Sequence, residues 1–237
     1  MIIEVEELAK SIDSTLLKAS ANEGDVRRLC DVAKKHNFAS VVVNPSFVKM
    51  ADEILKDASV RVGTVVGFPL GASTTTEKCF ETINNIVNGA CEIDFVMNLG
   101  YLKSAKYDEF YRDAKAVVLA AKRGQLKSPG RTIFTKMILE TCYLSKDEIK
   151  IACKVAEKAA VDFVKTSTGF GSEGATEENV ELLRKILPTN IGIKASGGIK
   201  EFKQADKFLD LGASRLGTSS AEKIMQEYAT ASKVKAK

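Results

Sequence analysis

A chain of 237 residues suits one large domain or two small ones, and an eightfold α/β barrel alone needs about 250, so one barrel would leave no surplus. Hydrophobic residues at 45% and charged residues at 28% give an ordinary globular composition with material for a sizeable core, which excludes a disordered or low-complexity chain. The net charge of +4 comes from Lys and Arg spread among 31 acidic residues, so no nucleic-acid partner is expected; with no apolar run of about 18 residues and no leader-like N-terminus, the expected setting is the cytoplasm, without membrane contact.

In chain order, a short N-terminal helix precedes a first strand over Ile12 to Leu16. Val26, Leu29, Cys30 and Ala33 then fall at i, i+3, i+4, i+7, the stripe of a helix with one apolar face, and His36 marks its end after Lys34 and Lys35. Strands follow over Ala39 to Val43 and Arg61 to Val66. Thr74 with Glu77 has the spacing of a capping box, which opens a helix that ends near Gly89. Glu92 to Met97 and Thr132 to Ile138 are the next strands; Ser145 with Glu148 is a second capping box, opening a helix striped by Ile149, Ala152, Cys153 and Ala156. Strands over Asp162 to Thr166, Ile191 to Ala195 and Ala213 to Gly217 complete the set, with Gly212 at a helix end just before the last. Most are short and rich in Val, Ile and Phe, as buried parallel strands are. Eight such units without a linker read most simply as a (β/α)8 TIM barrel, one domain over residues 1–237. An open doubly wound sheet is the alternative, because periodicity does not fix closure. No Gly-x-Gly-x-x-Gly follows the first strand, which weakens a dinucleotide-binding reading.

The five cysteines (Cys30, Cys79, Cys91, Cys142, Cys153) form an odd set without close pairs and read as reduced. His36 is the only histidine, with no Cys or Asp at ligand spacing, so neither a metal site nor a Ser-His-Asp triad is expected. Chemistry in such a barrel lies at the C-terminal ends of the strands. Four charges stand there in apolar runs: Asp94 in Ile93-Asp94-Phe95-Val96, Lys136 in the fifth strand, Lys165 closing Asp162-Phe-Val-Lys165, and Lys194 closing Ile191-Gly-Ile-Lys194. A charge in a barrel strand is costly to desolvate unless it is paired or used. One reading makes the lysines structural ion pairs with Asp94 or Glu140. The other uses the closeness of Lys165 and Lys194 on neighbouring strands about 4.8 Å apart, where like charge and burial would free one amine as a nucleophile near neutral pH. A lysine Schiff base then acts as the electron sink, and Asp94 is the carboxylate to move protons. Glycine-rich segments after the last three strands, Thr166-Ser-Thr-Gly-Phe-Gly171, Ser196-Gly-Gly198 and Gly217-Thr-Ser-Ser220, permit tight turns and also let backbone N–H groups approach an anion; together, beside two lysines, they favour a phosphorylated substrate.

From Ile12 to about Ser220 the chain resembles the deoxyribose-phosphate aldolases. The likeness rests on Ile12-Asp-Ser-Thr-Leu-Leu-Lys18, Val43-Asn-Pro45, Val66-Gly-Phe-Pro-Leu-Gly71 with Thr74 to Glu77, and Glu92-Ile-Asp94 with Asn98 and Gly100. The most specific matches are Lys136-Met-Ile-Leu-Glu-Thr141, Phe163-Val-Lys-Thr-Ser-Thr-Gly169 and Ile193-Lys-Ala-Ser-Gly-Gly198. The resemblance implies a class I aldolase that cleaves 2-deoxy-D-ribose 5-phosphate to D-glyceraldehyde 3-phosphate and acetaldehyde, without a cofactor. It implies Lys165 as the Schiff-base lysine, Lys194 as the neighbour that depresses its pKa, and Asp94 as the carboxylate of the proton relay. Lys136 would share the pocket, Asp13 and Thr15 would line the sugar site, and Thr168, Gly169, Gly171, Gly197, Gly198, Gly217 and Ser219 would bind substrate, the glycines and Ser219 as a phosphate cradle. Partners are then small sugar phosphates and aldehydes, with a homodimer compatible. Two departures stand out: Ser14 replaces a His of many members, and the chain ends Lys235-Ala-Lys237 where some members carry a terminal tyrosine that protonates the enamine. Competing expectations are another Schiff-base sugar-phosphate aldolase or transaldolase on the same barrel, and a catalytically silent sugar-phosphate sensor, against which the two lysines argue.

Overall fold

The computed structural model describes residues 3–235. Its strands are β1 (Ile12–Leu16), β2 (Ser40–Val43), β3 (Arg61–Val66), β4 (Glu92–Val96), β5 (Phe134–Ile138), β6 (Phe163–Lys165), β7 (Gly192–Ser196) and β8 (Arg215–Thr218). The helices are α1 (Val5–Ser11), α2 (Glu23–His36), α3 (Val48–Leu55), α4 (Thr75–Val87), α5 (Leu99–Lys103), α6 (Tyr107–Leu126), α7 (Lys146–Ala159), α8 (Glu177–Ile186), α9 (Phe202–Asp210) and α10 (Ala221–Lys235). All strand pairs are parallel and β1 pairs with β8, aligning Ile12 with Leu216 and Asp13 with Gly217, so the sheet closes in the order β1 to β8 and is not an open doubly wound sheet.

Local signals account for the helices. Thr74 accepts from the Glu77 N–H and Glu77 answers the Thr74 N–H at 2.8 Å; Ser145 and Glu148 repeat the arrangement. A third box joins Asn22 to Asp25 at the start of α2; an Asp in place of the usual Glu or Gln hides it from the sequence pattern. His36 is the last residue of α2, and all five cysteines are free. Among the described residues no helix is long and apolar enough to cross a membrane.

The strands carry two different faces. Ile93, Phe95, Met137, Val164, Ile193 and Leu216 join the main core with Cys30, Ile86, Val117, Ile149 and Cys153 of the surrounding helices. Their alternating neighbours point inward, since successive strand residues face opposite sides. On the β1–β3 side the interior holds a separate apolar cluster, Leu17, Val42, Val65 and Phe68, beside the buried Asp13 of β1 and Ser40 of β2. On the β4–β8 side it is charged: Glu92, Asp94, Lys136 and Lys194 are fully buried and Lys165 is 2% exposed. This half-apolar, half-ionic lining puts every one of those charges in a poorly hydrated space.

Several strand bounds differ from the sequence reading, each for a local reason. β6 starts one residue late because the Asp162 side chain accepts from the Thr135 N–H and hydroxyl at 2.7 and 2.9 Å. It stops at Lys165, where the Thr166 hydroxyl turns to the Ser196 backbone. β8 starts at Arg215 instead of Ala213 and runs to Thr218, so the arginine read as the middle of the strand opens it and enters the barrel.

Candidate active site

Asp94 sits at the centre of the charged half-barrel. Its Oδ2 accepts from Lys165 Nζ at 2.9 Å and from Lys194 Nζ at 2.7 Å, while Oδ1 accepts from Lys136 Nζ at 3.0 Å. The strand register makes this unavoidable, since Asp94 is level with Lys136 and Lys165 is level with Lys194. Beneath this tier lies a second one. Lys194 also approaches Asp13 Oδ2 at 2.7 Å, Lys136 reaches Glu92 and lies 3.4 Å from Asp13, and Arg215 bridges Asp13 and Glu92. Ser40 donates to Asp13 at 2.8 Å. Both of the competing sequence readings are therefore present in one place: the lysines are ion-paired with Asp94, and two of them are adjacent. Glu140 is not their partner; it turns through a left-handed backbone (φ 55°) to accept from the Thr168 N–H and hydroxyl.

The environments separate the three lysines. Burial lowers the pKa of Lys165; the attraction of Asp94 opposes this, Lys194 and Lys136 add to the lowering, and the net value is about 8. Near pH 7 about a tenth of such an amine is neutral, against less than a thousandth of an ordinary lysine. Burial is thus the leading cause, and the neighbouring lysine is a smaller one than the sequence alone suggested. Lys136 goes the other way: although burial works against its charge, Asp13, Asp94 and Glu92 hold it above the ordinary lysine range. For Asp94, burial favours the neutral acid, but Lys136, Lys165 and Lys194 outweigh it and keep the carboxylate ionised far below its usual range; Asp13 is held down likewise by Lys136, Lys194 and Arg215.

Above the network a cleft of about 260 Å³ opens at the C-terminal ends of β1, β6, β7 and β8. It is lined by Thr15, Lys165, Thr168, Gly169, Gly197, Gly198, Gly217 and Ser219, together with Lys18, Phe170 and Lys200. Of the buried lysines, Lys165 alone reaches it. Lys136, Lys194, Asp94 and Asp13 lie below the lining, and Gly171 lies to one side, where an added Cβ would meet Cys142 Sγ at 2.8 Å. Gly217 does more than line the cleft: a Cβ there would stand 3.0 Å from Lys194 Cε, so its absence leaves room for that side chain. Tyr228 is part of α10 and donates to the Ile3 carbonyl at 2.9 Å, away from the cleft; Ala236 and Lys237, at the end where a tyrosine was sought, lie outside the described residues. Ser14 is buried on β1 beside the cleft, in a neighbouring pocket with Arg28 and Glu222. Among the described residues no cluster of three or more His, Cys, Asp or Glu is arranged to hold a metal ion.

Glu92 and Arg215 are the parts of the site that sequence reasoning missed. Glu92 starts its strand, where a charge is ordinary and draws no notice, and the signal available was the two-residue spacing Glu92-x-Asp94, which puts both carboxylates on one strand face; Arg215 lay inside the strand read over Ala213 to Gly217 and was passed over there.

Comparison with known proteins bears on this arrangement. Residues 8–226 match the model of the DeoC/LacD family aldolases. The deoxyribose-phosphate aldolase of Carboxydothermus hydrogenoformans is 48% identical over 225 residues, covering 95% of this chain and 96% of the relative. That of Bdellovibrio bacteriovorus is 49% identical over 220 residues, covering 93% and 96%. Among solved structures, the tetrameric deoxyribose phosphate aldolase from Aeropyrum pernix superposes with a TM-score of 0.87 at 31% identity, over 96% of this chain and 93% of that one.

Proposed function

Since the chain belongs to the DeoC/LacD family of aldolases, we propose that it is a deoxyribose-phosphate aldolase in which Lys165 carries the Schiff base. The observation that carries the residue assignment is that Lys165 alone among the buried lysines opens into the cleft, with a pKa lowered to about 8. Its neutral amine attacks C1 of open-chain 2-deoxy-D-ribose 5-phosphate; the carbinolamine loses water and becomes an iminium. A proton leaves the C3 hydroxyl, the C2–C3 bond breaks with its electron pair drawn into the iminium, and D-glyceraldehyde 3-phosphate departs. The remaining enamine takes a proton at C2, and water hydrolyses the resulting iminium to acetaldehyde and free Lys165.

Asp94 has a narrower part in this reading than the sequence implied. Three ammonium contacts keep it ionised, so it is a poor proton acceptor and serves instead to aim Lys165 and Lys194. The C3 hydroxyl proton passes to a water held beside Lys194, and the same water returns it to C2 of the enamine, so the proton is conserved over the cycle. Gly169, Gly197, Gly198 and Ser219 form the phosphate end of the cleft, and Lys18 and Lys200 supply positive charge there. Lys136, Asp13 and Gly171 act from outside the cleft, by charge or by packing. Substrates are soluble sugar phosphates and aldehydes, the setting is the cytoplasm, and the chain forms at least a homodimer; Phe80 and Val87, seven residues apart on one exposed face of α4, support self-association.

The test is reductive trapping. Acetaldehyde with borohydride is expected to add one two-carbon unit to Lys165, and purified protein to release acetaldehyde from 2-deoxy-D-ribose 5-phosphate. Peptide mapping that located the label on Lys136 or Lys194 would overturn the assignment, and absence of acetaldehyde release would overturn the substrate.

A further inference from the structure

Every charge that faces Lys165 can be counted strand by strand. β1 supplies Asp13, β4 supplies Glu92 and Asp94, β5 supplies Lys136, β7 supplies Lys194 and β8 supplies Arg215; β2 contributes only the neutral Ser40. From β3, Arg61 touches the edge of this set at 3.8 Å from Glu92, but its side chain is 41% exposed and water screens it. Three carboxylates therefore meet three other basic side chains. The interior is balanced when the Lys165 amine is neutral and carries one surplus positive charge when it is protonated. In a space with so little water that surplus is costly.

We propose that Glu92 and Arg215, neither of which reaches the cleft, are positioning residues for the Schiff-base reaction, setting through Asp13, Lys136 and Asp94 the charge balance against which Lys165 sheds its proton. The proposal rests on the reading of Lys165 as the nucleophile. The geometry gives the pair leverage. Arg215 Nε donates to Asp13 Oδ1 at 2.7 Å and its Nη2 donates to Glu92 Oε2 at 2.7 Å and Oε1 at 3.0 Å, so one guanidinium occupies both floor carboxylates. With it in place, Asp13 and Glu92 are only partly available to Lys194 and Lys136, and those two ammonium groups turn their remaining contacts to Asp94. Glu92 stands two residues before Asp94 on the same strand face, about 7 Å away along β4, close enough for its charge to be felt at Lys165 through an interior of low polarity.

The signature is a pair of opposite shifts. Glu92→Gln keeps the shape and removes one negative charge, so the protonated state of Lys165 becomes harder to hold. Arg215→Gln removes one positive charge and makes it easier. The readout is the rate of reductive labelling of Lys165 by acetaldehyde against pH, a probe that does not itself ionise, alongside a melting curve for each variant. The midpoint of the rise is expected to move down by about one pH unit in Glu92→Gln and up by about one unit in Arg215→Gln. The double variant should return close to the parent, and Arg215→Lys should keep the parent's midpoint. A loss of packing alone would lower melting temperatures without moving the midpoints in opposite directions. Should Arg215→Gln fail to fold, Glu92→Gln decides by itself. Parent-like midpoints in folded variants, or shifts of the same sign, would overturn the proposal while leaving Lys165 as the nucleophile; no label on Lys165 in the parent would overturn both.

Discussion

Lys194 acts on Lys165 by two routes of the same sign. Its ammonium repels a proton on Lys165, and its hold on Asp94 Oδ2 at 2.7 Å keeps that carboxylate from pairing more closely with Lys165. Removing it in Lys194→Leu ends both effects, so the pKa of Lys165 should rise by about one unit or more, each unit being about 1.4 kcal/mol. Cleavage near neutral pH is expected to fall by orders of magnitude, with a residual rate that climbs into the alkaline range; Lys165→Leu should be inactive at every pH. A pH-rate profile of both, with circular dichroism to show folding, checks this, and a folded Lys194→Leu with the parent's profile would rule the coupling out. The four residues at the heart of the site were legible because a charge inside Ile-x-Phe-Val or Phe-Val-x contradicts the pattern around it. Glu92 was not, because the first residue of a strand is where a charge is expected, and Arg215 was not, because the run Ala213-Ser-Arg-Leu-Gly217 around it is too little apolar for a charge to stand out. The leading role of burial was hidden for another reason: how far Lys165 is enclosed is set by the closed barrel around it, whose other strands are remote in sequence.

The loops over the cleft fit together through backbone, without side chains between them. Gly174, in the segment joining β6 to α8, lies so close to the turn after β7 that a Cβ on it would stand 2.1 Å from the Gly197 carbonyl oxygen, and the Ala175 N–H donates to the Ser196 and Gly197 carbonyls at 3.0 and 3.1 Å. Gly174→Ala must therefore push the two loops apart at the end of the cleft assigned to phosphate. The expected result is a KM for 2-deoxy-D-ribose 5-phosphate raised about tenfold or more, with labelling of Lys165 by acetaldehyde unchanged, because acetaldehyde does not use that end. Equal loss in both assays would mean that the loop supports the amine and not the phosphate. The alternation of strand and helix was plain in the sequence, since capping boxes and apolar stripes are local signals. Closure was not, because the pairing of Asp13 with Gly217 joins the two ends of the chain and leaves no local trace. The contact of Gly174 with Gly197 is similarly non-local, and Gly174 passed unnoticed among the glycines of a turn-rich segment.

For the molecule as a whole, the lowered pKa of Lys165 is also a statement about stability. In the folded chain the amine loses its proton near pH 8, whereas unfolded it would do so near about 10.4. Between those values the unfolded chain holds the extra proton, so stability rises with pH across that window, and below it the folded state bears a buried ammonium that its surroundings disfavour. Lys165→Met removes the group while leaving Asp94 paired with Lys136 and Lys194. Its melting temperature should exceed the parent's near pH 7, and the difference should shrink as the pH is raised from about 8 to about 10. A pH-independent difference across that window would show that the amine is not the source. Phe170, meeting Phe68 edge to face at 5.2 Å and 57% exposed, sits at the rim, far from this ledger of charges. Rim and floor are thus built from different parts of the chain: loops that shape the entrance, and strand residues that prepare the amine. Such a separation means that substitutions at the entrance can admit longer or differently decorated aldehydes without disturbing the interior that makes a lysine reactive.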